Sequence, residues 1–176
     1  MNEIMIKDAA VVLEDSAFRV VTADQRSARD QIPIRAFLSR VRHAFGMDVV
    51  FVSRFADGHR IIRFTDADLD DEYAVPEGAS DPFEESYCHH IVEGRLPQVI
   101  RDTNDVPLAL AITGTRICRV GSHLGVPIVA SDGSVYGTVC CFSHAPKRSL
   151  GEREELEALR EIAVLLADVL LDDERG

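Results

Sequence analysis

The 176-residue sequence predicts an α+β domain built on a central antiparallel sheet. Two pairs of β-rich segments are each joined by an Asp-Gly turn, at Asp57-Gly58 and at Asp132-Gly133, and such turns connect adjacent antiparallel strands. Amphipathic helical patterns stand on either side of these hairpins, so two helices can cover one face of the sheet. The length fits one domain.

The composition argues against several classes of protein. Nineteen basic residues against 30 acidic ones give a net charge of −11, which disfavours nucleic acid and anionic membranes as partners, because both are bound by clustered Lys and Arg. No apolar run approaches the ~20 residues of a membrane span. Four cysteines are too few for a disulfide scaffold, so we expect a reduced, cytoplasmic protein.

The N-terminal part of the chain predicts an arm and then a helix. Residues 1–31 are expected to form a weak helix or arm that ends in a polar linker. An amphipathic helix follows, because apolar residues recur at helical spacing between Pro33, which suits a first turn, and Gly46, which suits a stop. These apolar residues are Ile34, Phe37, Leu38, Val41 and Phe45.

The first predicted hairpin comes directly after this helix. Residues 49–55 and 60–64 are rich in β-branched and aromatic side chains, and Asp57-Gly58 lies between them. The following residues 66–80 are acidic and irregular, which predicts a connecting loop.

Short elements are predicted for the middle of the chain. The sequence Asp81-Pro82-Phe83-Glu84 combines an N-cap acid, a first-turn proline and a third-position glutamate, so a helix is expected to begin there and to end at Gly94. Val99-Ile100 predicts a short strand, and residues 106–112 predict a short helix.

A second hairpin and a long helix complete the prediction. Residues 124–130 and 135–143 read as strands around Asp132-Gly133, and Ser149-Leu150-Gly151-Glu152 fits a capping box that opens the final helix. The apolar stripe of that helix is wide enough to suggest that one side of it stays uncovered in a monomer.

The register of the second hairpin assigns its side chains to faces. A two-residue turn at Asp132-Gly133 places His123 opposite Phe142 and Gly125 opposite Cys140. Because side chains alternate along a strand, His123 and Cys140 are expected on one face of the sheet and Cys141 on the other.

Four blocks of sequence resemble the GAF domain, in particular the sensory kind found with bacterial diguanylate cyclases and histidine kinases. The blocks are ESYC at 85–88, VEGRLP at 92–97, GVPI at 125–128 and DGSVYGTVC at 132–140. The resemblance covers residues 32–171, which leaves residues 1–31 as an N-terminal helix or arm and residues 172–176 as a C-terminal tail.

The resemblance implies a PAS-like sheet of five or six strands, with the terminal helices on one face and pocket loops and short helices on the other. It implies a non-enzymatic sensory or regulatory domain that binds an unidentified small molecule and signals through terminal-helix packing. A homodimer and a downstream output domain, or a partner kinase or cyclase, are implied partners. Phe51, Cys88, His123 and Cys140 are the expected pocket residues, and no residue pattern indicates which cofactor, if any, is bound.

The cysteines leave a second interpretation open, a redox enzyme resembling free methionine-R-sulfoxide reductase. Such chemistry needs an exposed thiol of low pKa and a resolving thiol within disulfide reach, with Cys118, Cys140 and Cys141 as candidates. Because Cys140 and Cys141 are expected to face opposite ways, buried structural cysteines are favoured. A third interpretation is an interaction module with a vestigial pocket.

The run Cys88-His89-His90 is the densest cluster of reactive side chains. Successive helical residues point about 100° apart, so these three are not expected to converge on a metal, and Cys88 is interpreted as packed in the pocket roof. A Cys followed by His resembles the attachment pattern of bilin-binding GAF domains. Cys88 lies in the wrong part of the domain for that role, and Cys118 is followed by Arg119, so a linear tetrapyrrole is disfavoured.

Several charged residues carry weaker predictions. The acidic run 66–72 resembles a Ca²⁺ loop but has Asp71 where the sharp turn needs Gly, so a solvated, mobile loop is expected. Asp102 follows a strand and is expected to cap the next turn or to hold a pocket loop closed. Arg95 and Arg116 are the basic residues nearest the expected pocket, where solvent exposure is favoured over contact with an anionic ligand.

Overall fold

The computed structural model describes residues 28–152 and 154–174. In chain order, the helices and strands are α1 (Ala28–Phe45), β1 (Val49–Ala56), β2 (His59–Ala67), β3 (Ser80–Pro82), α2 (Tyr87–Val92), β4 (Val99–Ile100), α3 (Pro107–Ala111), α4 (Thr113–Ile117), β5 (Ser122–Val129), β6 (Val135–Ser143) and α5 (Glu155–Glu174), with single 3₁₀ turns at Phe83–Glu85 and Thr103–Asp105. Of the arm and linker predicted for residues 1–31, residues 1–27 lie outside the described residues, and residues 28–31 belong to α1 instead.

The strands form one six-stranded sheet in the order β3-β2-β1-β6-β5-β4, and every neighbouring pair is antiparallel. The predicted α+β class is therefore confirmed. None of the helices in the described part of the chain is long and apolar enough to cross a membrane.

Helices α1 and α5 cover one face of the sheet, as predicted. The apolar stripe of α1 packs with that of α5 into a core that also takes inward side chains from four strands. Representative members of this core are Phe37, Leu38 and Val41 of α1, Leu159, Ile162 and Leu166 of α5, and Val52, Val126, Val139 and Cys141 of the sheet.

The short helices α2, α3 and α4 cover the opposite face, and we call them the roof. Their apolar side chains pack into a second core with side chains from β1, β2 and β6. Members of this roof-side core include Phe51, Ile62, Tyr87, Cys88, Ile91, Ala109, Ile112, Cys140 and Phe142.

The register of the β5–β6 hairpin is the one predicted. His123 pairs with Phe142, Gly125 pairs with Cys140, and the register shifts only between Ile128 and Val129, close to the turn. Cys140 belongs to the roof-side core and Cys141 to the opposite core, so the two adjacent cysteines face opposite sides of the sheet.

The predicted start of a helix at Asp81 is wrong. Residues 80–82 form an edge strand that pairs with β2, and α2 begins only after Ser86, whose hydroxyl accepts a hydrogen bond from the His89 amide at 3.1 Å. Asp81 is instead used in an ion pair with Arg60. The helix is capped by Ser86, five residues after the predicted cap.

The boundaries of the other helices also differ from the prediction. Helix α1 begins at Ala28, five residues before Pro33, and α5 continues to Glu174 through part of the expected tail. The predicted start of α5 at Ser149 is wrong, because Gly151 and Glu154 have φ angles of +80° and +63°, which a right-handed helix does not accommodate.

Candidate ligand-binding site between the sheet and the roof

The fold brings the four expected pocket residues to the same side of the sheet. Phe51 on β1, His123 on β5 and Cys140 on β6 point toward the roof, and Cys88 on α2 meets them from above. Each is at most 2% exposed. The strand residues reach this face through the alternation of side chains along each strand.

His123 is buried without a hydrogen-bond partner on either ring nitrogen. Its ring stacks on that of Tyr87, with centroids 4.6 Å apart and planes inclined by 24°. Burial, and secondarily the positive charge of Arg60, lowers the pKa of His123 to about 3, so the ring is neutral at physiological pH. A neutral imidazole has one N–H donor and one acceptor nitrogen, and both are unsatisfied here.

Tyr87 is held in place by the other two roof helices. Its hydroxyl hydrogen-bonds to Thr115 of α4, and the Thr115 hydroxyl donates to the carbonyl oxygen of Ala109 in α3. Burial raises the pKa of Tyr87. The stacked face presented to His123 is therefore fixed by a chain of hydrogen bonds across the roof.

Hydrogen-bond donors converge on the sulfur of Cys88. Thr138 Oγ1 lies 2.9 Å from Cys88 Sγ, Ser53 Oγ lies 3.5 Å away and Arg60 Nη1 lies 4.0 Å away. Burial raises the pKa of Cys88, but the Cys140 thiol, the Arg60 charge and the two hydroxyls outweigh it and bring the pKa to about 6.

Arg60 is a charged residue that reaches the roof-side core, and it is not among the predicted site residues. Its guanidinium forms two hydrogen bonds with the Asp81 carboxylate, at 2.8 and 2.6 Å, and lies 5.7 Å from the centroid of the Phe51 ring. The signal was available, because Arg60 lies two residues before the buried Ile62 and therefore on the same face of β2.

Gly125 allows this site to pack closely. A Cβ atom at this position would lie 2.7 Å from Cys140 Sγ, 2.8 Å from His123 Cε1 and 3.0 Å from Ile91 Cδ1. Real Cβ contacts are longer, so only glycine fits between the strand and the roof at this point. The strand and the roof are therefore in direct contact at Gly125.

An open cleft of about 200 Å³ lies elsewhere, on the outer surface of the roof. It is lined by Glu84, Glu85, His90, Leu108, Ala111, Ile112 and Thr113. None of the four expected pocket residues lines this cleft, so a ligand at His123 requires the roof to move.

The family of the chain is decided by its sequence match. The family model of the GAF domain matches residues 33–170. The chain belongs to the GAF domain family. Among curated proteins, none matches the chain in sequence.

Several solved structures share the fold. A GAF domain of Acinetobacter phosphoenolpyruvate-protein phosphotransferase superposes with a TM-score of 0.69 at 13% identity, over 99% of this chain and 96% of that one. A phycoerythrobilin-bound GAF domain of a cyanobacterial phytochrome gives 0.67 at 15% identity, again over 99% and 96%. Free methionine-R-sulfoxide reductase from Neisseria meningitidis, in complex with its substrate, gives 0.65 at 17% identity, over 96% and 93%.

The acidic segment of this GAF domain is exposed in part, as a solvated loop would be, but three of its carboxylates bind basic side chains, which was not predicted. Arg42 on α1 binds Asp66 at 2.6 Å and Asp68 at 2.9 Å. Farther along the segment, Asp71 binds His144 at 3.0 Å. The sequence could not show this, because the partners lie on elements distant in the chain.

The remaining candidate residues of the GAF domain cap a turn or lie exposed to solvent. Asp102 caps the following 3₁₀ turn by accepting a hydrogen bond from the Asn104 amide at 3.0 Å. Arg95 is 60% exposed and pairs with Glu93, and Arg116 is exposed. Within residues 28–152 and 154–174, no group of three His, Cys, Asp or Glu side chains is arranged to hold a metal ion.

Proposed function

We propose that this GAF domain is a small-molecule-binding sensory domain of bacterial signal transduction, located in the cytoplasm. The observation that carries the proposal is the buried imidazole of His123, whose two nitrogens lack partners. Leaving a buried polar group unpaired costs about 1–3 kcal/mol. A ligand that offers one acceptor and one donor to this ring would offset that cost for both nitrogens.

The fold offers a path for the signal. Neighbouring residues of β6 face both cores, since Cys140 lies under the roof and Cys141 packs with α1 and α5. A ligand that enters at His123 displaces the roof, shifts the strands beneath it and thereby favours one packing of the terminal helices. No step of this process makes or breaks a covalent bond.

The terminal helices are also where we propose a homodimer and a contact with an output domain or a partner kinase or cyclase. Val164 and Leu165 on α5 are 64% and 36% exposed although both are large and apolar. A second copy of the chain would cover these side chains, and rearrangement of that contact would carry the signal onward.

Native mass spectrometry and an absorption spectrum of freshly purified protein test the ligand proposal. We expect a bound small molecule in excess of the polypeptide mass, and we expect His123→Phe to lose it. The exposed residue His59 provides the control, since His59→Phe should retain the molecule. A bare polypeptide mass that no compound library alters would contradict the proposal and would favour an interaction module with a vestigial pocket.

The likeness to free methionine-R-sulfoxide reductase keeps a redox enzyme as the competing function. The cysteine positions favour the sensory function. Burial raises the pKa of Cys118, which makes it a poor nucleophile, and Cys140 and Cys141 point to opposite faces of the sheet. Turnover of free methionine sulfoxide with a thiol reductant, abolished by Cys118→Ser or Cys140→Ser, would contradict the sensory function.

A further inference from the structure

The surroundings of the Cys88 sulfur suit a thiolate. In its contacts with Thr138, Ser53 and Arg60 the sulfur is the acceptor each time. A neutral thiol is a weak acceptor, whereas a thiolate accepts several hydrogen bonds and is stabilised by a nearby guanidinium. Burial alone would disfavour a negative charge on the Cys88 sulfur. The converging hydrogen-bond donors stabilise that charge.

Cys140 is the second thiol of this cluster. It donates to Thr138 Oγ1 at 3.4 Å, and the same hydroxyl donates to Cys88 Sγ at 2.9 Å. Burial raises the pKa of Cys140, and the neighbouring Cys88 sulfur raises it further. The Thr138 hydroxyl therefore bridges the two sulfurs, and the donors around Cys88 favour the charge on that sulfur over Cys140.

We propose that Cys88 and Cys140 form a dithiol site that hydroperoxides oxidise to a disulfide. The Cys88 thiolate attacks one peroxide oxygen, the O–O bond breaks, and hydroxide or alkoxide leaves with two electrons, so that Cys88 becomes a sulfenic acid. The Cys140 sulfur then attacks the Cys88 sulfur. An S–S bond forms, and the sulfenic hydroxyl leaves with the Cys140 proton as water.

The other cysteines lack this arrangement. Cys141 is equally buried, but it lies on the opposite face, and burial raises its pKa to about 12. Burial also raises the pKa of Cys118. Cys88 is itself fully buried, whereas Arg60, which contacts it, is 15% exposed, so the proposal requires a peroxide to enter beside the Arg60–Asp81 ion pair.

A disulfide here would join the roof to the sheet. Cys88 lies on α2 next to Tyr87, and Cys140 lies on β6 opposite Gly125. The bond would fix the stacked contact between Tyr87 and His123, so that oxidation holds the roof closed. This consequence goes beyond reversible ligand binding, because it makes the opening of the site depend on a covalent state.

The proposal is tested by treating the native protein with hydrogen peroxide, then alkylating it under denaturing conditions and mapping its peptides by mass spectrometry. We expect one cross-link per chain, between Cys88 and Cys140, with Cys118 and Cys141 still open to alkylation. Arg60→Met should slow the reaction at neutral pH by lowering the thiolate fraction of Cys88, about tenfold for each unit by which the pKa of Cys88 comes to exceed the assay pH.

Two variants provide matched controls on one strand. Cys141→Ser should form the cross-link at the normal rate, whereas Cys140→Ser should stop at a Cys88 sulfenic acid that dimedone traps. Peroxide that leaves Cys88 and Cys140 fully alkylatable, or that oxidises Cys118 first, would overturn the proposal. The wild-type peptide map decides the outcome even where a variant misfolds. The ligand proposal is tested separately, by ligand retention in the reduced protein, so either proposal can fail without the other.

Discussion

His144 and Asp71 join the acidic segment to the end of the roof. The Nε2 atom of His144 lies 3.0 Å from Oδ2 of Asp71, and its Nδ1 atom lies 3.0 Å from the carbonyl oxygen of Cys118. His144 directly follows β6, and Cys118 directly follows α4. One imidazole ring therefore ties together three segments that are far apart in the sequence.

This pair predicts a pH-dependent contribution to stability. Burial lowers the pKa of His144, but Asp71 and the Arg119 carbonyl outweigh burial and raise it, while the pKa of Asp71 is lowered chiefly by His144 against its own burial. The ion pair stabilises the folded protein fully between pH 3.8 and pH 6.5, which are the ordinary pKa values of Asp and His. This stabilisation is lost as the pH rises through the raised pKa of His144.

We therefore expect Asp71→Asn to lower the free energy of unfolding by about 1 kcal/mol at pH 5.5 and by much less at pH 9. Urea denaturation at the two pH values measures both differences. Asp70→Asn changes an exposed neighbour in the same segment and should show no such dependence. An equal loss for Asp71→Asn at both pH values would show that the ion pair is not the cause.

Gly137 is predicted to tolerate no side chain. A Cβ atom there would lie 1.9 Å from the Ser53 carbonyl oxygen and 2.9 Å from the Arg54 Cα atom, where β1 and β6 pair. Because both contacts are with backbone, relief requires the strands to separate. Gly137→Ala should cost about 3 kcal/mol or more, as overpacking in a rigid core does.

Gly114 provides the matched control for that substitution. It lies within α4, and the nearest atom to a Cβ there would be 3.9 Å away. Gly114→Ala should be neutral or stabilise the protein by up to about 1 kcal/mol, because alanine is the better helix former. Thermal or urea unfolding of both variants checks the pair, and similar losses for the two would contradict the packing argument.

The proposed dimer makes a prediction about α5. If Val164 and Leu165 lie in the interface, Val164→Glu should convert a dimer into a monomer, because a buried unpaired carboxylate is costly. Light scattering coupled to size-exclusion chromatography measures the mass directly. Leu110→Glu is the control, since Leu110 is 51% exposed on the roof and should not affect assembly. A monomeric wild-type protein at high micromolar concentration would refute the dimer.

Local chemistry explains what the sequence could predict. The Asp132-Gly133 turn set the register of β5 and β6, and the alternation of side chains then assigned His123 and Cys140 to one face. Helix boundaries depend on more distant contacts. Asp81 has the chemistry of an N-cap but pairs with Arg60, and the backbone at Gly151 leaves the right-handed region just where the sequence predicts a capping box.

The donors around Cys88 show why the site was only partly predictable. Ser53 and Thr138 pair across β1 and β6, and Arg60 comes from β2, so three strands and one helix must come together before the donors converge. No pattern in the local sequence marks any of these residues as part of a site. The pairing of β1 with β6 is a long-range contact that no local turn specifies.

His123 predicts a loss of stability in acid. The folded protein holds this ring neutral down to a pKa of about 3, whereas the unfolded chain binds a proton near the ordinary value of 6.5. The unfolded state therefore binds more protons between these values, and stability falls by about 1.4 kcal/mol for each pH unit below 6.5.

The variant His123→Phe removes this proton uptake and keeps a ring to stack on Tyr87. Between pH 7 and pH 5 the wild type should lose about 2 kcal/mol more than His123→Phe does, as measured by urea denaturation. The lowered pKa of His90 acts in both proteins and cancels in the comparison. Parallel profiles would mean that the pKa of His123 is not lowered in the folded protein, and would remove the buried, unpaired imidazole on which ligand binding rests.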